Sequence, residues 1–308
     1  MLTVLGLKSS RTRDIEERAR GAYLGLAVGD ALGATVEFMT PKEIQTKYGI
    51  HKEVIGGGWL NLRPGQVTDD TTMALALGRS ILSTGKVSSQ GAAEAFDEWM
   101  RAKPVDIGNT VRRGIVQFRR TGNSISHYSE HDAGNGACMR VLPVALTTFG
   151  ASHDVVNTAC CAQSHVTHNN DLSDAATACV VKMIHSALDG ASMVELLKNY
   201  AQPLVQSHPL FKFRGRHLSN PSGFIVHTLQ VVFQSLFDTE SFDDCLIDVV
   251  NRGGDSDTTG AIAGMIAGAV YGPKAIPRKW TKALDRDVRI ECEDQASRLI
   301  RLAFENSD

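Results

Sequence analysis

The chain has 308 residues, 43% hydrophobic and 21% charged, a balance that suits a globular protein with a sizeable core. Its formal net charge of −2 leaves no basic excess for a general nucleic-acid binder. There is no run of about 18 apolar residues and no signal-peptide pattern. The six cysteines (Cys138, Cys160, Cys161, Cys179, Cys245 and Cys292) form no C-x-x-C pair, so a reduced, cytoplasmic chain without membrane insertion is expected.

Residues 1–14 read as an apolar, then basic leader, either disordered or an arm that contacts a partner. Residues 15–304 read as one all-α domain. Apolar residues at helical spacing predict helices over 16–28, 72–82, 92–100, 109–119, 175–188, 193–200, 224–237, 259–270 and 288–303. The first is expected to meet a glycine break at Gly29 and Gly33. Alternating β-branched stretches never persist between turn markers, so strands are not expected. Residues 207–221, polar and aromatic with two prolines, read as a long surface loop able to close over a site. The tail from Arg298 is expected to fray.

Two acidic turns stand before helices. The first is Thr68-Asp69-Asp70-Thr71, and the second is Asp255-Ser256-Asp257-Thr258. Either one alone is explained by helix capping, since Thr and Asp side chains accept from free N–H groups and negative charge suits the helix dipole. Together they exceed what capping requires. Adjacent unpaired carboxylates raise one another's pKa, and a shared divalent cation relieves that repulsion. The donors are all oxygens, which favours Mg²⁺ or Mn²⁺ over Zn²⁺. Four carboxylates and two hydroxyls suffice to bridge two metals about 3.5–4 Å apart. The second helix holds Gly260, Gly264 and Gly268 among alanines. Interior glycines cost about 1 kcal/mol each, which close helix approach would offset.

Six stretches, in order, make the chain resemble the ADP-ribosylglycohydrolase family, in particular its dinitrogenase reductase-activating group. They are residues 21–33, 65–71, 104–110, 133–140, 167–169 and 251–260. The resemblance implies a helical bundle with two Mg²⁺ or Mn²⁺ ions in a cleft, held by Thr68, Asp69, Asp70, Asp255, Asp257 and Thr258. It implies hydrolysis of the N-glycosidic bond between ADP-ribose and an arginine side chain. Asp106, which capping would also explain, becomes an active-site carboxylate, and Glu37 a loop carboxylate that positions water or acts as base. Gly134, Asn135 and Gly136 would take the diphosphate, His168 the nucleotide or its ribose, and Phe224 the adenine. Asp30 reads as a buried structural carboxylate. Thr72 departs from the group, which usually has an acidic residue there.

The substrate would be an ADP-ribosylated protein, either dinitrogenase reductase or a target of an ADP-ribosyltransferase toxin. An ADP-ribosyltransferase toxin or a PII-type signalling protein is a further candidate partner. A rival reading is an immunity protein whose leader binds and blocks such a toxin. An isoprenoid diphosphate enzyme is a further rival, but Asp69-Asp70-Thr71-Thr72-Met73 lacks that class's third aspartate.

Overall fold

The computed structural model describes residues 2–306, with side chains from Arg11 onward. Most of the leader's side chains, and the partner-contacting arm proposed for them, therefore lie outside the described residues. The α-helices are α1 (Leu2–Gly33), α2 (Pro41–Tyr48), α3 (Asp69–Thr84), α4 (Ser89–Arg101), α5 (Asn109–Thr121), α6 (Gly136–Met139), α7 (Leu142–Thr147) and α8 (His153–Ser164). They continue with α9 (Asp171–Leu188), α10 (Met193–Leu196), α11 (Gln202–Ser207), α12 (Ile225–Asp238), α13 (Phe242–Asn251), α14 (Ser256–Tyr271), α15 (Arg278–Ala283) and α16 (Arg286–Glu305). Among the described residues there are no strands, only the isolated bridges Gly57–Leu62 and Gly134–Phe224. No helix there is long and apolar enough to cross a membrane.

All nine expected helices exist. Several begin earlier than apolar spacing indicates, because a polar cap starts them. Asn170 accepts from the N–H groups of Leu172 and Ser173 and starts α9, and Asp285 does the same for α16. The expected helix over 193–200 continues to Ser207 through a π-helical segment, Leu197–Ala201. Pro203, which has no N–H to donate, sits just beyond that widened turn.

The expected break at Gly29 and Gly33 does not occur, for α1 runs unbroken to Gly33. Instead Gly21, Gly25, Gly29 and Gly33 form a stripe facing Gly268, Gly264, Gly260 and Ser256 of α14. A Cβ on any of the four would fall within 3.0 Å of a backbone carbonyl oxygen across the interface. Glycine here permits backbone contact and does not end the helix. The two helices form the centre of one continuous hydrophobic core, with α3, α9 and α16 packed around α1. α14 is buried from Ser256 through Ala269.

Residues 207–221 form the surface loop expected, mostly exposed, but it is tied to the domain. Phe211 and Phe213 are buried, and the Gln234 side chain of α12 donates to the carbonyls of Phe213 (2.5 Å) and Arg216 (2.6 Å). The described part of the tail is helical, with α16 continuing to Glu305 over buried Ile300 and Ala303, while residues 307–308 lie outside the described residues.

Candidate active site

The first turns of α3 and α14 meet at the end of the α1–α14 stripe. Asp30 of α1 accepts from the Thr68 N–H (3.0 and 3.1 Å), the Thr71 N–H (3.1 Å) and the Thr71 hydroxyl (2.6 Å). A carboxylate from another helix thus caps α3, while the N-cap residue Thr68 makes no side-chain cap bond. Asp69 and Asp70 are thereby spared the capping role. The N-cap residue of α14, Asp255, makes no side-chain cap bond either. Gly253 and Gly254 adopt φ of 70° and 64°, a conformation other residues resist. This turn pins the chain: the Phe38 N–H donates to the Gly254 carbonyl (2.7 Å) and the Asp255 N–H to that of Pro221 (2.9 Å).

These ties bring the two acidic turns together. The Thr68 hydroxyl lies 3.2 Å from Asp70 Oδ2 and 3.4 Å from Asp257 Oδ2, and the Thr258 hydroxyl 3.3 Å from Asp70 Oδ2. Asp70 Oδ1 is buried with no hydrogen-bond partner among the described residues. Oxygens of Glu37, Asp255 and Asp257 lie within 4.8 Å of one another. Burial drives each of these carboxyls upward, with repulsion from neighbouring carboxylates adding to it and hydrogen bonds opposing it at Glu37 and Asp255. Asp69 reaches about 7 through burial and then Asp106 and Asp30. Glu37 reaches about 8 through burial, opposed by its bond from Trp59, and Asp70 and Asp257 stand well above the usual range. An orphaned carboxylate oxygen amid clustered carboxyls fits a divalent cation held by oxygen donors.

Over this cluster opens a cleft of about 490 Å³, lined by Glu37, Asp69, Asp106, Asn135, His168 and Asp255 among others. Asp106 accepts only from its neighbour's N–H at Ile107 (2.7 Å). It does not cap α5, whose N-cap is Gly108. Asn135 is committed to structure, since its amide donates to Asp255 Oδ2 (2.6 Å) and to the Thr228 hydroxyl (2.9 Å). Gly134 and Gly136 line the cleft, yet a Cβ on either would also meet the His168 ring at 2.9 or 2.7 Å. The helix after them, α6, has only four residues, so its dipole adds little for an anion. His168 is buried and pushed down to about 3 by burial, then by Arg140 and Arg113, and so is neutral. Its Nδ1 lies 2.7 Å from the Thr167 hydroxyl, which accepts from the buried Arg140 guanidinium (2.8 Å).

Phe224 is not brought into this wall. Its neighbour Gly223 lines the cleft, while the Phe224 ring packs edge-on against His227 at 5.2 Å. Thr72 is also outside it, its hydroxyl accepting from the Trp99 indole (2.9 Å). Two residues not singled out in the sequence do stand at the cleft. The Trp59 indole N–H donates to Glu37 Oε2 (2.6 Å), and Phe38, 65% exposed, packs against the Trp59 ring with centroids 5.3 Å apart. Three consecutive glycines before Trp59, at φ 69°, 82° and 68°, were the available signal of a built loop.

The family model for ADP-ribosylglycohydrolase matches residues 11–308. The chain is 49% identical over 289 residues to the ADP-ribosyl-dinitrogen reductase glycohydrolase of Rhodospirillum rubrum, covering 94% of this chain and 97% of that protein. It is 32% identical to ADP-ribosylarginine hydrolase Tri1 of Pseudomonas putida (strain GB-1), over 86% of this chain and 74% of the relative. A solved structure described as an ADP-ribosylglycohydrolase-related protein complex superposes with a TM-score of 0.83 at 32% identity, covering 94% of this chain and 99% of its own.

Proposed function

The chain belongs to the ADP-ribosylglycohydrolase family, and from that premise we propose that it removes ADP-ribose from arginine side chains of modified proteins. The observation that carries the reading is the buried convergence of the α3 and α14 turns, with Asp70 Oδ1 left without a partner. The 49% identity to a glycohydrolase named for dinitrogen reductase favours that protein as substrate. The likeness to Tri1 supports arginine as the linked side chain.

Thr68, Asp69, Asp70, Asp255, Asp257 and Thr258 would hold two Mg²⁺ or Mn²⁺ ions. Such ions supply Lewis acidity and charge that offsets the carboxylates. Breaking an N-glycosidic bond builds positive charge at the anomeric carbon, and Asp106, a carboxylate of the cleft outside that ligand set, would favour that charge. Asp106, with no partner beyond the Ile107 N–H among the described residues, would bind the guanidinium and assist proton transfer to the leaving guanidine as the C–N bond breaks. Glu37, which lines the cleft and accepts the Trp59 indole N–H, would take a proton from the attacking water. Gly134, Gly136 and His168 form the wall against which the diphosphate and nucleotide would lie, and Asn135 orients Asp255.

The test is release of ADP-ribose from arginine-ADP-ribosylated protein with Mn²⁺ or Mg²⁺. Asp257→Ala is expected to lower the rate by about a hundredfold or more, since even indirect support of a metal site is worth 10–100-fold. Equal release by wild type and variant would overturn the reading.

A further inference from the structure

A second cluster of metal-ligating side chains stands where α8 ends and α9 begins. Cys161 and His165 are four residues apart across the end of α8, so they share a face. Asp174 lies in the first turn of α9, with Oδ2 at 2.7 Å from His165 Nε2. One sulfur, one nitrogen and one oxygen from these three residues lie within 4.8 Å of one another. The other carboxylate oxygen, Asp174 Oδ1, is buried and has no hydrogen-bond partner among the described residues. Cys161 and Asp174 line a cavity of about 780 Å³ that shares no lining residue with the aspartate cleft.

The backbone holds this constellation in place. The His165 N–H donates to the Cys161 carbonyl (2.9 Å), and the His165 carbonyl accepts from both the Ser126 N–H and its hydroxyl at 2.8 Å. The Asp174 N–H donates to the Asn170 carbonyl (3.0 Å). The donor set differs in kind from the cleft. A thiolate, an imidazole and a carboxylate suit a borderline ion, whereas Mg²⁺ and Mn²⁺ prefer all-oxygen sites. Bonds of about 2.0–2.3 Å in a tetrahedral site place ligand atoms roughly 3.3–3.8 Å apart. His165 Nε2 and Asp174 Oδ2, at 2.7 Å, would separate by less than about 1 Å to reach that spacing.

We propose that Cys161, His165 and Asp174 form a Zn²⁺ site distinct from the catalytic cleft, with a fourth position open to the adjoining cavity. Without zinc, His165 and Asp174 stand as an ion pair. Binding displaces the proton between them and the Cys161 thiol proton, because the ligating forms are the neutral imidazole and the thiolate.

The test uses the full-length chain, stripped with a chelator and then saturated with Mn²⁺ to occupy the oxygen site. Addition of Co²⁺ as a spectroscopic stand-in for zinc is expected to give one equivalent of a thiolate-to-cobalt charge-transfer band, which Zn²⁺ removes. Cys161→Ser should abolish the band, and Asp174→Asn, nearly the same shape, should weaken cobalt binding by at least about tenfold. Absence of the band in wild type, or an undiminished band in Cys161→Ser, would overturn the proposal. So would equal Zn²⁺ uptake by wild type and Cys161→Ser, which would assign the zinc to the aspartate cleft.

Discussion

Asp30 frees two other carboxylates for chemistry. By taking the Thr68 and Thr71 N–H groups it removes the ordinary reason for aspartates at the start of α3. Replacing it with alanine leaves buried donors unsatisfied at about 1–3 kcal/mol each. Asp30→Ala is therefore expected to cost roughly 3 kcal/mol of stability, read from the midpoint of urea unfolding at fixed Mg²⁺. An unchanged midpoint would show that the cap is dispensable. The Trp59 indole plays the corresponding part for Glu37. Hydrogen bonds to charged groups contribute about 1.5–3 kcal/mol, so Trp59→Phe, which keeps the ring and loses the N–H, should lower kcat/KM by ten- to a hundredfold on that scale. Wild-type kinetics in this variant would mean that Glu37 is positioned by something else. Neither pairing was legible in the sequence, where Asp30 stands 38 residues from Thr68 and Glu37 22 from Trp59.

At the scale of elements, the α1–α14 contact is where propensity and packing disagree. Taken singly, each glycine costs about 1 kcal/mol in a helix, which is why a break at Gly29 was expected. Taken at four-residue spacing on two facing helices, the same glycines allow backbone contact that no larger residue permits. Gly25→Ala, which would add helix propensity in isolation, is expected to destabilise by about 1–3 kcal/mol or more through overpacking. A thermal scan decides it, because a raised Tm would show that the stripe tolerates a methyl group. Several helices with clear caps went unread. Thr40 with Glu43 forms a capping box for α2, and Ser152 and Ser241 start α8 and α13. The signal of α2, which buries only Ile44, lies in its cap, whereas α13 also carries the apolar period, burying Phe242, Cys245, Leu246, Val249 and Val250.

At the scale of the whole molecule, burial decides which groups carry charge. His168 is held neutral, its pKa pushed down to about 3 by burial and by the Arg140 and Arg113 charges. In the unfolded chain it titrates near 6.5. Its contribution to stability is thus present above about pH 6.5 and is lost as pH falls toward about 3. With Mg²⁺ present, the wild type should lose stability relative to His168→Gln on acidification, by up to about 1.4 kcal/mol per pH unit. Parallel stability–pH curves between pH 6.5 and 4 would refute this.

The sequence by itself determined the helical class, the family and the two acidic turns, because apolar period and motif order are local properties of the chain. Tertiary structure alone decided which carboxylates cap and which stand free. It placed Trp59 and Phe38 at the cleft and Phe224 against His227. It also turned the expected break at Gly29 into a contact surface. The physical reason is shared by all of these: each depends on a hydrogen-bond or packing partner far along the chain, and a residue's type does not specify which partner burial will bring to it.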